Sequence, residues 1–374
     1  MAMCKAEPGE SLHLYDRIQI LAEEGFTKEK RLRAMEKPLL AWYKENARSL
    51  PWRENPDAYH VWVSEIMLQQ TRVEAVKPYY ERFMKALPNV RSLAEADDDR
   101  LMKLWEGLGY YSRVRNLKKA AIVIMEQYDG KVPSSWEDLK KLPGIGSYTA
   151  GAIASIAYGI PAPAVDGNVM RVISRLLGSR DDIMKQSVRR TVEEDIRKVI
   201  PSAHASSYNQ GLIEIGALVC IPNGAPHCGE CPLFSLCEAG RNRLADEIPV
   251  KGRKKDRRVE RITVALIQWE GKWAIRKRED KGLLASLYEL PNTEGYPEGR
   301  ELLMAFGLET KKAAVMERLP DGKHIFSHVE WHMHGWQIKV EGEKPEGFIF
   351  ADPETLKTEY PLPNAFGRYM KLID

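Results

Sequence analysis

Four of the five cysteines of this chain fall within eighteen residues, in the order Cys220-x7-Cys228-x2-Cys231-x5-Cys237. A loop so dense in thiols closes on itself, through disulfides or around a metal centre. No apolar run approaches the ~18 residues a membrane span needs. Met1 to Ser11 carries charges and lacks the apolar core of a secretory signal. The chain is therefore assigned to the cytosol, where such a cluster reads as a metal site before it reads as disulfides. Four thiolates at this spacing suit either Zn or an iron–sulfur cluster. Cys4 stands alone.

A length of 374 residues predicts two domains. Residues 1–33 are polar and read as an N-terminal extension, with a short helix around Tyr15 to Glu24. Residues 34–237 read as an all-α domain. Apolar residues recur there at helical spacing, as at Leu39, Leu40, Trp42 and Tyr43, and at Ile153, Ile156 and Ala157. Residues 238–257 form a basic interdomain linker, with Lys251, Arg253, Lys254, Lys255 and Arg257 leading to Arg258. Residues 258–374 read as an α+β domain. Ile262 to Trp269, Lys272 to Arg276 and Trp336 to Val340 are strand-like, Glu270-Gly271 suits a hairpin turn, and Arg300 to Phe306 is a candidate helix. The net charge of only +3 means that any nucleic-acid surface must come from clustering.

Two features of the helical zone carry chemistry. The first is Leu142-Pro143-Gly144-Ile145-Gly146-Ser147-Tyr148-Thr149-Ala150, between an amphipathic segment and a helix of small residues, over about 137–157. Gly144 and Gly146 allow a tight turn and close backbone approach, and the helix N-terminus after them offers free N–H groups to a phosphate. Such a hairpin positions a duplex without reading its sequence.

The second feature is a pair of acids, Glu65 in Val61-Trp62-Val63-Ser64-Glu65-Ile66-Met67-Leu68-Gln69-Gln70-Thr71 and Asp166 in Ala164-Val165-Asp166-Gly167-Asn168-Val169. Taken singly, Asp166 reads as a helix N-cap and Glu65 as a helix-flank residue. Taken together they suit glycosidic cleavage, which needs a proton donor for the leaving group and a carboxylate facing a cationic sugar. Apolar neighbours would raise Glu65 as a general acid requires, whereas Asp166 at a helix start would stay ionised.

These strings resemble the MutY family of adenine DNA glycosylases, within the helix-hairpin-helix base-excision group. The resemblance covers roughly residues 34–374. It implies that Glu65 protonates adenine at N7 and then helps to activate water. It implies that Asp166 stabilises an oxocarbenium ion or covalent intermediate, with Asn168 beside it. Relatives that cut the strand carry a lysine where this chain has Tyr148, and a phenol cannot form a Schiff base. The resemblance thus implies hydrolysis with little or no lyase chemistry. It favours a 4Fe-4S cluster on Cys220, Cys228, Cys231 and Cys237, although the first gap holds one residue more than the family's six. A monovalent cation at the hairpin carbonyls is also implied.

The implied partner is double-stranded DNA with an A:8-oxoguanine or A:G mispair, bound by a monomer that does not engage membranes. Because a stacked base must be flipped out, something must fill the gap. Gln70 and Tyr110 match the intercalating residues, with Leu108 close by. Arg48, Leu50, Trp52 and Arg53 match positions lining an adenine pocket, as does Gln210, where some relatives have Glu.

The C-terminal domain resembles a MutT-like (Nudix-fold) domain. It lacks the Glu cluster of a pyrophosphohydrolase: Glu289 is isolated, and Glu298 and Glu301 do not complete it. The implied role is recognition of 8-oxoguanine by Phe326, Ser327 and His328. Competing readings are a thymine-mismatch glycosylase, a non-catalytic DNA-binding scaffold and a Nudix hydrolase fused to a DNA-binding domain.

Overall fold

The computed structural model describes residues 27–252, 256–308 and 312–373. The helix expected around Tyr15 to Glu24 and the core of the basic run, residues 253–255, lie outside the described residues. The chain forms two compact units, one from residues up to Gln70 together with 120–253, the other from Thr71–Lys119 together with 254–374.

The first unit is helical. Its core gathers Leu39, Val165, Met170, Ile173, Tyr208, Leu212 and Ile215. The expected extension is shorter than 1–33, because a helix runs over Lys28–Ala34 and buries Leu32 in this core. Thr27 caps that helix, Lys28 pairs with Asp195 at 2.6 Å, and Arg31 donates to the Leu236 carbonyl at 2.6 Å. The expected linker 238–257 is likewise largely structured. Residues Glu238–Arg241 are helical, and Arg175 grips the carbonyls of Ala245 and Ile248 at 2.8 and 2.7 Å. Gly252 N–H donates to Asp182 at 3.0 Å. The segment is thus anchored through its own backbone by side chains from outside it, Arg175 and Asp182.

Two close backbone approaches shape this unit. A Cβ on Gly151 would lie 1.9 Å from the Pro163 carbonyl oxygen, and one on Gly216 would lie 2.5 Å from the Asn168 Cβ. Glycine is required at both places by space. The helix Ala205–Leu218 therefore lies tightly against the start of the helix Gly167–Leu177.

The second unit is a mixed seven-stranded sheet with helices. Strands β1 (Arg258–Trp269), β2 (Lys272–Lys277), β3 (Tyr288–Glu289), β5 (Lys312–Ile325) and β6 (Val329–Glu341) lie in the order β3-β2-β1-β6-β5. Strand β4 (Asn292–Glu294) pairs with β1, and β7 (Ile349–Ala351) pairs with β2. The β1–β6 pair is parallel and β5–β6 antiparallel. Glu270-Gly271 makes the β1–β2 turn, both at positive φ (47° and 76°), as a two-residue hairpin prefers.

The centre of β1 is buried on both faces, which explains its nearly continuous apolar run. Ile262, Val264 and Leu266 pack with Phe366 and Tyr369, while Ala265 and Ile267 pack with Leu302 and Phe306 of the segment around the Gly299–Ala305 helix. Residues 71–119, read from sequence as part of the helical zone, cluster instead with this sheet. Asp99 accepts from Lys277 and Tyr288 at 2.8 and 3.0 Å, and Glu106 accepts from the Leu362 N–H at 2.9 Å.

Candidate active site

The helix Ala58–Leu68 is apolar and almost wholly buried, and it carries Glu65 at 7% exposure. The helix Ser147–Ala152, which passes into a π-helical turn at Ile153–Ala157, brings Tyr148 to it. The Tyr148 hydroxyl donates to Glu65 Oε2 at 2.5 Å. Burial pushes the Glu65 carboxyl up to about 7, a nearby Asp166 adds to the rise, and the Tyr148 hydrogen bond and the Arg53 charge oppose it. Burial and the neighbouring carboxylates raise Tyr148 well above an ordinary phenol, so it stays a neutral donor.

Asp166 caps the helix Gly167–Leu177. Its Oδ1 accepts from Val169 N–H and its Oδ2 from Asn168 Nδ2, both at 2.8 Å. Burial raises this carboxyl, opposed by those N–H groups and the Arg171 charge. The sequence-based expectation of an Asp166 simply left ionised therefore omits the cost of its surroundings. The bonds at the helix start favour the anion, and burial disfavours it.

Of the residues expected around a base pocket, Arg48 and Arg53 converge on one carboxylate, Glu214. Arg48 donates to it through Nε at 2.6 Å and Nη2 at 3.0 Å, and Arg53 through Nη2 at 3.0 Å. Leu50 and Trp52 are buried. Gln210 donates to Ser206 on its own helix at 3.1 Å. At the end of the Ala58–Leu68 helix, exposed Gln70 adopts positive φ (58°). In the hairpin, Gly144 has φ 77°, and a Cβ on Gly146 would meet nothing within 4 Å, so that backbone faces open space.

The four clustered cysteines form no disulfide and line one small pocket with Arg175, Val219 and Phe234. Arg175 Nη1 lies 3.2 Å from Cys220 Sγ, and Gly240 N–H donates to Cys237 Sγ at 3.3 Å. Burial pushes the Cys231 thiol up to about 12. Among the described residues, no three His, Cys, Asp or Glu side chains are placed to hold a single metal ion. The donor set still fits an iron–sulfur cluster: four sulfurs around a common pocket, with N–H donors aimed at two of them.

In the second unit, Gly107 and Gly109 turn the chain at φ 97° and 69°, and a Cβ on Gly107 would strike the Tyr79 hydroxyl at 2.0 Å. Arg113 Nη2 grips the carbonyls of Leu108 and Gly109 at 2.9 and 3.0 Å. The loop thus holds Tyr110 at positive φ (47°) and 45% exposure. Leu108, expected close to the DNA, is buried and supplies a carbonyl to this clamp.

Phe326, Ser327 and His328 make the β5–β6 turn, closed by Phe326 N–H to the Val329 carbonyl at 2.8 Å. Phe326 packs edge-on against Trp331 at 5.0 Å, whereas Ser327 and His328 are exposed. The Ser327 and Tyr110 hydroxyls meet at 3.1 Å, and a pocket lined by Tyr110, Leu284, Phe326, Ser327 and His328 opens beside them. Glu289 is buried in a clamp of Arg276 (2.7 Å), Arg278 and Asn292 (2.7 Å), which occupies it structurally.

Residues 63–198 match the model of the HhH-GPD superfamily of base excision DNA repair proteins, and residues 263–372 match the NUDIX domain. The adenine DNA glycosylase of Buchnera aphidicola subsp. Schizaphis graminum is 34% identical over 296 residues, covering 79% of this chain and 84% of its own. The adenine DNA glycosylase of Rattus norvegicus is 33% identical over 370 residues, covering 83% and 72%. This chain belongs to the adenine DNA glycosylase family. A solved thermostable thymine-DNA glycosylase shares the helical fold at TM-score 0.52 and 27% identity, covering 57% of this chain and 98% of its own.

Several residues that support the Asp166 segment escape a sequence reading. Fully buried Asn209 donates to Ser155 Oγ and the Ala162 carbonyl, both at 2.8 Å, and accepts from Ala164 N–H at 3.2 Å. It fixes the segment that delivers Asp166. Arg171 donates to Asn168 Oδ1 at 2.8 Å and to the carbonyls of Gly216 and Cys220 at 2.6 and 2.7 Å. The available signal was two arginines at helical spacing after Asn168, which usually marks a solvated face. Here both are buried.

Proposed function

We propose that the chain hydrolyses the N-glycosidic bond of adenine mispaired with 8-oxoguanine or guanine, without cutting the strand. The observation that carries this is the buried Glu65, raised to about 7 and bonded by Tyr148 at 2.5 Å, with Asp166 acting on it from the adjoining helix start. Tyr148 occupies Glu65 Oε2 as a donor, which leaves Oε1 to hold the transferable proton. At neutral pH about half of such carboxyls carry it, as a general acid near pH 7 requires. Proton delivery to N7 lets the base depart as a neutral molecule. Asp166, preorganised by Val169 N–H and Asn168, faces the positive charge that develops on the sugar. Glu65, then ionised, accepts a proton from the attacking water. With a neutral phenol at position 148, no Schiff base forms there.

The strained and exposed Gln70 and Tyr110 support entry into the base stack, since backbone strain at an exposed side chain costs energy that core packing does not return. The open backbone at Gly146 supports a phosphate contact, and the hairpin carbonyls would hold a monovalent cation. Phe326, Ser327 and His328 beside the pocket support contact with 8-oxoguanine. Arg48, Arg53, Leu50, Trp52 and Gln210 would surround the extruded adenine. Cys220, Cys228, Cys231 and Cys237 would hold a 4Fe-4S cluster, which supplies a structural tie for the loop and no step of the hydrolysis. Their placement around one small pocket supports that ligand set. A thymine glycosylase reading is weaker, because that likeness covers 57% of the chain whereas relatives named adenine DNA glycosylase span about four fifths.

The test is a duplex with one A opposite 8-oxoguanine. Free adenine should be released, with strand breaks only after alkali. Full activity in Glu65→Gln would remove Glu65 from the acid role.

A further inference from the structure

Glu214 is an acid on the helix Ala205–Leu218 with a side chain at 0% exposure. A carboxylate so buried is costly unless fully paired. Its partners are Arg48 and Arg53, whose side chains keep 30% and 18% exposure. Arg48 closes on it with its backbone N–H at 3.2 Å as well as with its guanidinium. Arg53 bonds both Glu214 and the Arg48 carbonyl, the latter at 2.9 Å. Three charges are thus locked into one unit of net +1 beside the apolar helix that bears Glu65.

We infer that Glu214 is a positioning residue for base excision: it anchors Arg48 and Arg53 and sets how much of the Arg53 charge reaches the Glu65 carboxyl. The inference rests on the reading of Glu65 as the acid. The groups facing Glu65 are Tyr148 from the hairpin helix, Asp166 from the next helix start and Arg53 from the short helix Pro51–Glu54, where Glu54 is exposed. The π-helical turn Ile153–Ala157 that also packs there carries no titratable residue. Those facing Glu214 are Arg48, Arg53 and Tyr43, whose ring lies 5.7 Å from the Arg53 guanidinium. Arg53 is the group common to both acids, and it opposes the rise of Glu65. Neutralising Glu214 leaves that positive charge uncompensated, which favours ionised Glu65 and removes its proton at lower pH.

The experiment is the pH dependence of single-turnover adenine release from an A:8-oxoguanine duplex. Activity that needs protonated Glu65 falls along an alkaline limb near pH 7 in the native protein. In Glu214→Gln the limb should move down by roughly 0.5–1 pH unit. Glu214→Asp, which keeps the charge, should leave the limb in place while lowering the rate. Glu214→Gln combined with Arg53→Gln restores net +1 and should return the limb. A uniform rate loss in Glu214→Gln with a fixed limb overturns the inference. Should Glu214→Gln fail to fold, Arg53→Gln alone must move the limb up, and an unmoved limb overturns it equally. Glu65→Gln separates the two readings: activity there sinks the acid role itself. An inactive Glu65→Gln with a fixed limb in Glu214→Gln sinks only the anchor.

Discussion

A carboxyl held near 7 by burial is a stability liability at neutral pH, and Glu65→Gln should expose it. The unfolded chain releases the Glu65 proton around 4.5, whereas the folded chain holds it to about 7. Stability associated with the neutral acid is therefore complete below about 4.5 and is lost as pH rises through 7. The full difference is about 2.5 pH units, or about 3 kcal/mol. Between pH 5 and pH 8.5 the loss integrates to about 2–3 kcal/mol, because part of it has occurred by pH 5. A glutamine carries no such titration. Its carbonyl can accept the Tyr148 hydroxyl, and its amide adds a roughly pH-independent cost of about 1–3 kcal/mol if left unpaired. The difference in urea unfolding between Glu65→Gln and the native protein should thus swing by about 2–3 kcal/mol in favour of the variant from pH 5 to pH 8.5. Tryptophan fluorescence follows it, since Trp62 lies in the same buried helix. A difference constant with pH would refute the raised carboxyl, and with it the physical basis of the acid role.

Tyr148→Phe removes the hydrogen bond that opposes the rise of Glu65. The alkaline limb of adenine release should move to higher pH, with no strand cleavage gained; a downward shift would contradict the geometry. Asn209→Ala deletes three buried hydrogen bonds and strands the Ala162 carbonyl and Ala164 N–H. It should cost about 3–5 kcal/mol in urea unfolding and slow adenine release, and an unchanged urea midpoint would count against it. Ser327→Ala should reduce the preference for 8-oxoguanine over guanine opposite A by several-fold, worth about 1 kcal/mol, without changing the rate on A:G. An unchanged ratio removes Ser327 from lesion contact. Cys231→Ala should abolish a broad visible absorbance near ~400 nm in anaerobically prepared protein, expected of a thiolate-held iron–sulfur cluster. Stoichiometric Zn in the native protein would replace that assignment.

What was legible in the sequence tracks regular structure. Glu65, Asp166 and Tyr148 sit on or at the start of helices whose apolar spacing could be read, and the hairpin string fixed how two of those helices meet. The β1–β2 turn was legible because Glu270-Gly271 has the chemistry a tight hairpin demands. The Lys28–Ala34 helix was missed because six of its seven residues are polar, charged or alanine, and only Leu32 faces the core. The association of residues 71–119 with the sheet was missed for another reason. It rests on pairs such as Asp99 with Lys277 and Tyr288, almost two hundred positions apart, which no local period encodes.

The buried arginines mark the deeper limit. Arg171 and Arg175 follow Asn168 by three and seven positions, one stripe of the Gly167–Leu177 helix. A polar stripe ordinarily faces water. This one faces the interior because the surrounding chain leaves carbonyls there that secondary structure does not consume: those of Gly216, Cys220, Ile221, Ala245 and Ile248. A guanidinium with five donors can satisfy several at once, which no apolar residue could do. Whether a charged stripe is surface or keystone is decided by unpaired carbonyls elsewhere in the fold. The helix that Asp166 caps is therefore held mainly by residues whose purpose becomes visible only once the chain has folded around them.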